Sequence, residues 1–146
     1  MVTQAETTSD LSKDQYAAIA AFRYELRRFL AFSEAAAAGV SLPPQQHQAL
    51  LIIAGYAGEQ PPTVGVVAEQ LLVAPHTAAE LVTRMVAAAL VTKTPSREDR
   101  RRVELTLTPK AADLLRQLTA AHLDELRTLE PALMRALGRL SRDRPG

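Results

Sequence analysis

The chain has 146 residues, 47% of them hydrophobic, and a formal net charge of +1 at pH 7. This length and composition suit one globular domain, or a small core with an extended helical part, and exclude a disordered chain. A nearly neutral chain does not by itself indicate a polyanionic partner, so any nucleic-acid hypothesis depends on where the charges lie.

Several classes of site are excluded by residue type. The chain has no cysteine, which rules out disulfides, thiolate zinc sites and thiol-oxidation switches. Its three histidines (His47, His76 and His122) fall on three different predicted elements, so we expect no metal site. No catalytic triad, carboxylate pair or phosphate loop is evident, so we expect neither an enzyme nor a cofactor. The polar N-terminus and the lack of a run of about 18 apolar residues predict a cytoplasmic protein.

The first predicted element is a long helix over residues 12–38. Ser12 and Gln15 form a capping-box pattern at its start, and Gly39 stands where a helix C-terminus favours glycine. An apolar seam at spacings of three and four predicts docking against another helix; its members are Ile19, Phe22, Leu26 and Phe29.

A second helix is predicted to begin at Pro43-Pro44 and to end at the glycines at 55 and 58. "EQPPT" then forms a turn, and Thr63 caps a short helix, "VGVVAEQL". The stretch "LVAPH" interrupts the pattern before a further helix over residues 75–90.

This further helix has two unlike faces. Its apolar face predicts packing on a core and contains Ala78, Leu81, Val82, Met85, Val86 and Ala89. The opposite face is left for water or a partner and contains His76, Thr77, Glu80, Thr83, Arg84 and Ala87.

The hydrophobic period then changes to two, which predicts a β-hairpin from "LVTKT" and "RVELTLT". Its connection, "REDRRR", lies in a segment, residues 84–102, with six basic and two acidic side chains, whereas the rest of the chain is slightly acidic. An isolated run of this kind is usually a solvated turn, but on a hairpin after a helix-turn-helix it indicates contact with phosphate. We expect Asp99 to orient the guanidinium of Arg101.

Thr108-Pro109 predicts the start of a last helical region. This region carries Leu114, Leu115, Leu118, His122, Leu126 and Leu129. We expect a break or kink near Pro131.

The order of elements is that of a winged helix-turn-helix, in which the second helix of the pair enters the major groove and the hairpin reaches toward the backbone or minor groove. In its helix-turn-helix and wing sequences the chain resembles the MarR family of bacterial transcription regulators. "AEQLLVAPHTAAELVTRMVAAALV" is similar to the helix-turn-helix of the family and "REDRRRVELTLTPKA" to its wing. The likeness covers nearly the whole chain.

The resemblance implies a mainly α fold with a small β-hairpin wing, flanked by N- and C-terminal dimerisation helices. The expected boundaries are a disordered stretch at 1–10, a dimerisation helix at 11–42, the DNA-binding domain at 43–108 with its wing at 91–107, dimerisation helices at 109–141 and a flexible tail at 142–146. It also implies a homodimer on a palindromic DNA operator, with half-sites roughly 10 bp apart.

Carried over to this chain, the base-reading positions of the family fall on His76, Thr77, Glu80, Thr83 and Arg84. The wing contact falls on Arg101, supported by Asp99, and the charge of the tip adds Arg97, Arg100 and Arg102 to the expected DNA-binding set. Ala74 replaces a frequent serine cap, and Leu72 and Ala89 replace frequent glycines. Glu80 either accepts from a cytosine amino group or pairs with Arg84 at i,i+4.

Regulators of this family are often released from DNA by small aromatic or anionic ligands. The residues expected to border such an effector site are Arg23, Tyr24, Arg27, His47 and Tyr56, although each also fits a solvated or core position. The expected function is therefore a ligand-responsive repressor. The alternative is a winged-helix module that binds protein instead of specific DNA, which Glu80 and the weak overall charge support.

Overall fold

The structure is a computed structural model that describes residues 11–142, with side chains up to residue 140. The predicted disorder at residues 1–10 and most of the predicted flexible tail lie outside the described residues. The elements, in chain order, are α1 (Lys13–Gly39), α2 (Pro44–Ala54), α3 (Val64–Leu71), α4 (Pro75–Ala87), β1 (Val91–Pro95), β2 (Val103–Leu107) and α5 (Pro109–Arg142).

The predicted fold class is confirmed, since the described chain is mainly helical with one two-stranded hairpin. The strands are antiparallel, and Val91 pairs with Leu107 at one end and Pro95 with Val103 at the other. The chain divides into two compact units. Of the described residues, the terminal unit contains 11–33 and 121–142, and the central unit contains 34–120.

The central unit has its own hydrophobic core, formed by the inner faces of α2, α3, α4 and the hairpin together with the end of α1 and the first turns of α5. Leu50, Val67, Met85 and Leu105 are fully buried there. The predicted inner faces of α4 and β2 are therefore confirmed at these positions. Burial of four such side chains stabilises the unit by roughly 1.5–3 kcal/mol each.

In the terminal unit, His122 on α5 is buried against α1. Its Nε2 lies 2.8 Å from the hydroxyl of Ser33, and its ring packs edge-on against Phe29 and Phe32. Elsewhere the unit leaves large apolar side chains in solvent: Ile19, in the predicted seam of α1, is 52% exposed and Met134 is 61% exposed. The terminal unit of a single chain thus leaves large apolar side chains of both α1 and α5 exposed.

Three helices end in the same way. At the ends of α1, α3 and α4, the residues Ser41, Leu72 and Ala89 adopt the left-handed conformation, with φ of 57°, 59° and 58°. In each case the following residue donates its N–H five positions back, for example from Leu90 to Met85 at 2.9 Å. This pattern is the Schellman motif, in which glycine is usual at the left-handed position.

Two expected helix ends are therefore corrected. The left-handed residue after α1 is Ser41 and not Gly39, which is the last residue of the helix, because the motif at Ser41 buries the next residue, Leu42. The helix predicted over residues 75–90 ends at Ala87, which leaves Val86 partly exposed and Ala89 outside the helix.

Of the break or kink expected near Pro131, the break does not occur, because α5 is a single helix from Pro109 to Arg142 with Pro131 inside it; the kink stays a prediction. Proline removes one N–H, which would otherwise bond to the carbonyl of Arg127, but the bonds on either side maintain the helix. Within the described residues, no helix is long and apolar enough to cross a membrane.

Candidate nucleic-acid interface

The polar face predicted for α4 is accessible to solvent. His76, Glu80, Thr83 and Arg84 are exposed, and Thr77 is half-buried. The opposite face of the helix, including Ala78 and Met85, is buried in the core of the central unit. Because one face of α4 packs on the core, the predicted base-reading side chains lie on the opposite face of the helix.

The first turn of α4 has unused backbone donors. The residue before the helix, Ala74, has no side chain that could accept a hydrogen bond, and Pro75 has no N–H. Because the first amides of a helix have no partner within it, the N–H groups of His76 and Thr77 can donate to an external acceptor. The positive end of the helix dipole makes an anion the favoured acceptor.

The other end of α4 is held by the start of α5. The hydroxyl of Thr108 donates to the carbonyl of Ala89 at 2.7 Å and accepts from the N–H of Ala111 at 3.2 Å. Lys110 donates from Nζ to the carbonyl of Ala88 at 3.0 Å. A cation at a helix C-terminus is favourable, so these contacts fix the end of the helix and confirm Thr108 as the cap of α5.

The wing tip, residues 96–102, is an ordered loop. Its first residue, Ser96, is buried, and the N–H of Ser96 donates to the carbonyl of Arg102 at 2.9 Å. The Ser96 hydroxyl accepts from the N–H groups of Glu98 and Asp99 at 3.3 and 3.4 Å. The loop is therefore shaped by its own hydrogen bonds before any ligand arrives.

Asp99 acts differently from the expectation. Its carboxylate accepts from the backbone N–H of Arg101 at 3.0 Å, and no ion pair joins it to the guanidinium of Arg101 in the described part of the chain. A carboxylate two residues before an N–H readily forms such a local turn. Asp99 thus shapes the backbone and does not aim the side chain.

All four arginines of the tip are exposed: Arg97, Arg100, Arg101 and Arg102. Arg101 and Arg102 line a groove of about 280 Å³ together with residues 63–65 at the start of α3. Arg97 and Arg100 line a second depression with Pro95 and Ser96. Since the salt bridges of the described residues involve none of the four, their donors are available to a phosphate.

Glu80 and Arg84 are not joined in the structure. No salt bridge between them occurs in residues 11–140, so the i,i+4 pairing that the sequence left open is not formed. Glu80 is accordingly an exposed carboxylate on the predicted base-reading face.

The five residues expected at an effector site fall in both units. In the terminal unit, Arg23, Tyr24 and Arg27 are exposed on α1, and the ring of Tyr24 lies 5.8 Å from the guanidinium carbon of Arg28. In the central unit, His47 is buried, with 1% of its surface exposed, and Tyr56 lines a cavity of about 410 Å³ beside β2. The described residues contain no group of three or more acids and histidines placed to hold a metal ion.

Three residues of this region were not predicted from the sequence. Ser96 shapes the wing tip, Lys110 binds the end of α4, and Gln60 donates from Nε2 to the carboxylate of Glu98 at 2.6 Å. Their partners are distant in the sequence or are backbone atoms, and no periodicity indicates such contacts.

Comparison with known proteins agrees with this arrangement. Residues 40–102 match the sequence model of the MarR family. No curated protein matches the chain. Among solved structures, the chain is similar to AbsC, a MarR family transcriptional regulator from Streptomyces coelicolor, with 18% identity, a TM-score of 0.69, and 90% of this chain and 95% of that chain covered.

Two further structures share the fold. One is a mutant of MepR from S. aureus bound to an oligodeoxyribonucleotide, with 17% identity, a TM-score of 0.62, and 75% and 79% of the two chains covered. The other is MarR from E. coli in its apo form, with 18% identity, a TM-score of 0.60, and 77% and 79% covered. The solved structures share the predicted fold, and the match to the MarR family model covers residues 40–102.

Proposed function

We propose that this chain is a regulator of the MarR family, which binds DNA as a homodimer and represses genes at a palindromic operator. The observation that carries the proposal is the pairing, within one compact unit, of an exposed polar helix face and an arginine-rich wing. The matched MepR structure, which contains an oligodeoxyribonucleotide, supports DNA as the partner.

In the proposed complex, α4 lies in the major groove. The side chains of His76, Thr77, Thr83 and Arg84 meet base edges, and the unused amides of the first turn of α4 donate to a backbone phosphate. Glu80, which has no ion-pair partner in the described residues, accepts from a cytosine amino group. The wing arginines reach the adjacent backbone or minor groove.

The homodimer is supported by the apolar surface of the terminal unit. Side chains on α1 and α5, such as Ile19, Leu26 and Met134, are 43% to 61% exposed, and a second copy would cover them. Two-fold symmetry then requires two half-sites, about one helical turn, or roughly 10 bp, apart.

The test is an affinity measurement on DNA from the gene's own promoter. If each subunit neutralises about four phosphates, log K falls with log salt at a slope near −7. Arg101→Ala weakens specific binding by roughly 1–3 kcal/mol, which is about 5- to 150-fold, and leaves the dimer intact. The matched control is Arg116→Ala, an exposed arginine on α5 that pairs with Asp113 at 3.1 Å; its affinity stays at the wild-type value.

A protein-binding module is the second candidate, and the exposed carboxylate of Glu80 on the recognition face is the observation that favours it. Such a module would bind promoter DNA no better than random DNA, and Arg101→Ala would have no DNA phenotype. That result would contradict the proposed DNA-binding function and support the protein-binding module.

We further propose that a small aromatic or anionic effector releases the DNA through contacts with Arg23, Tyr24 and Arg27, which are exposed on α1 of the terminal unit. Guanidinium groups and aromatic rings are the protein groups that bind carboxylates and planar ligands. Benzoate, added to the protein–DNA complex as a simple aromatic anion, should weaken DNA binding, and Arg27→Ala should reduce this effect. An unchanged affinity at saturating benzoate would argue against this class of effector.

A further inference from the structure

We propose that Gln60, on the loop between α2 and α3, is a positioning residue that holds the wing tip in its DNA-binding form by binding Glu98. The contact joins Nε2 of Gln60 to a carboxylate oxygen of Glu98 at 2.6 Å, across 38 residues of sequence. The inference rests on the proposed function, because it assigns a role within the proposed wing contact.

The loop that carries Gln60 is fixed to the hairpin. Pro62, two residues later, is buried, and its carbonyl accepts from the N–H of Leu105 on β2 at 2.8 Å. Thr63 pairs with Glu104 as an isolated bridge and also caps α3. Gln60 therefore lies two residues before the point at which its loop is hydrogen-bonded to the hairpin.

The Gln60–Glu98 hydrogen bond also connects the wing tip to the rest of the central unit. The other hydrogen bonds of residues 97–101 that the structure describes run within the tip itself, to Ser96, Asp99 and Arg102. Those bonds set the shape of the loop, but they do not fix the loop relative to α3 and α4. The bond from Gln60 supplies that connection.

The chemistry of the pair explains how an acid is tolerated in a phosphate-binding loop. A carboxylate among arginines pairs with them readily, and each such pair would remove a guanidinium from the phosphate. In the structure the carboxylate of Glu98 is bound by a neutral amide, while the four tip arginines have no ion pair in the described part of the chain. The neutral amide of Gln60 thus binds the carboxylate of Glu98 without changing the net charge of the wing tip.

The decisive variants exchange the two partners. Gln60→Ala removes the amide, and Gln60→Glu places a carboxylate against a carboxylate. The double variant Gln60→Glu with Glu98→Gln restores an amide–carboxylate hydrogen bond in the reverse direction and has the same net charge as the wild type. A purely electrostatic role for Glu98 predicts that the neutral change Gln60→Ala leaves DNA affinity unaltered.

The first measurement is independent of DNA. Trypsin cleaves after arginine, so the rate of cleavage within residues 97–102, followed by mass spectrometry, reports how often the tip opens. We expect cleavage roughly three- to tenfold faster in Gln60→Ala, faster still in Gln60→Glu, and close to wild type in the exchanged pair. Thermal unfolding midpoints close to that of the wild type would show that the variants are folded.

The second measurement is affinity for promoter DNA. Gln60→Ala should weaken it roughly three- to tenfold, and the exchanged pair should recover it. Cleavage and affinity at wild-type values in Gln60→Ala, or no recovery in the exchanged pair, would overturn the role of Gln60. A wild-type chain that does not bind DNA would instead overturn the proposed function, while the cleavage experiment would still decide whether the Gln60–Glu98 contact holds the tip.

Discussion

Replacing Leu72 with glycine should stabilise the protein, although a leucine is lost. Leu72 lies in the turn between α3 and α4 with φ 59° and ψ 42°. Its side chain is 91% exposed, so its removal breaks almost no packing. The left-handed conformation crowds the Cβ against the following carbonyl, which glycine avoids.

The size of the effect follows from two opposing terms. Relief of the left-handed strain contributes about 1–2 kcal/mol. The greater freedom of glycine in the unfolded chain costs about 0.4–1 kcal/mol. The expected net gain in the free energy of unfolding is therefore roughly 0.5–1 kcal/mol for Leu72→Gly.

The assay is urea unfolding followed by circular dichroism, at one fixed protein concentration because a dimer unfolds in a concentration-dependent way. Leu72→Ala is the matched control, since it removes the exposed leucine but keeps the Cβ. We expect no comparable gain in the control. If Leu72→Ala is as stable as Leu72→Gly, the left-handed backbone does not limit stability at this position and the reasoning is wrong.

Other changes test other elements of the fold. Gly39→Ala should stabilise α1 by up to about 1 kcal/mol in the same assay, because Gly39 is the last residue of the helix and an added Cβ meets no atom within 4 Å; a loss would show that the glycine is needed there. Thr108→Val should cost about 1–2 kcal/mol, since the hydroxyl both caps α5 and binds the carbonyl of Ala89; Thr94→Val, on an exposed position of β1, is the control. Pro131→Ala should raise stability by up to about 3 kcal/mol and increase helical ellipticity; unchanged stability would mean that the helix already accommodates the proline without loss.

The sequence predicted the order and type of the elements well, because most of them depend on local patterns. The apolar spacing of α4 and the alternation of β2 both follow from burial of one face, and residues such as Met85 and Leu105 are fully buried as expected. The caps at Ser12 and Thr63 also depend only on neighbours three residues away.

The errors fall where a local signal competes with a distant contact. Gly39 has the residue type of a helix end, but burial of Leu42 places the left-handed residue two positions later, at Ser41. Pro131 is a helix breaker by type, yet α5 continues through it. In both cases the local preference amounts to about 1–3 kcal/mol, which tertiary packing can exceed.

The two acids of the wing show a further limit of reasoning from charge alone. Counting charges treats Glu98 and Asp99 as a subtraction from the arginines, and the sequence suggested at most that Asp99 orients Arg101. In the structure each carboxylate accepts from a neutral N–H donor, Asp99 from a backbone amide and Glu98 from the side chain of Gln60. Neither acid pairs with a tip arginine in the described residues.

This arrangement reconciles a net charge of +1 with a role at DNA. Affinity for a polyanion depends on the cations that reach phosphates and not on the total charge of the chain. Acids that are bound by neutral donors do not neutralise those cations by pairing, and they give the loop a fixed shape that arginines alone, which repel one another, would not maintain. The acids of the wing therefore favour binding through the order that they impose, provided that their neutral partners, above all Gln60, stay in place.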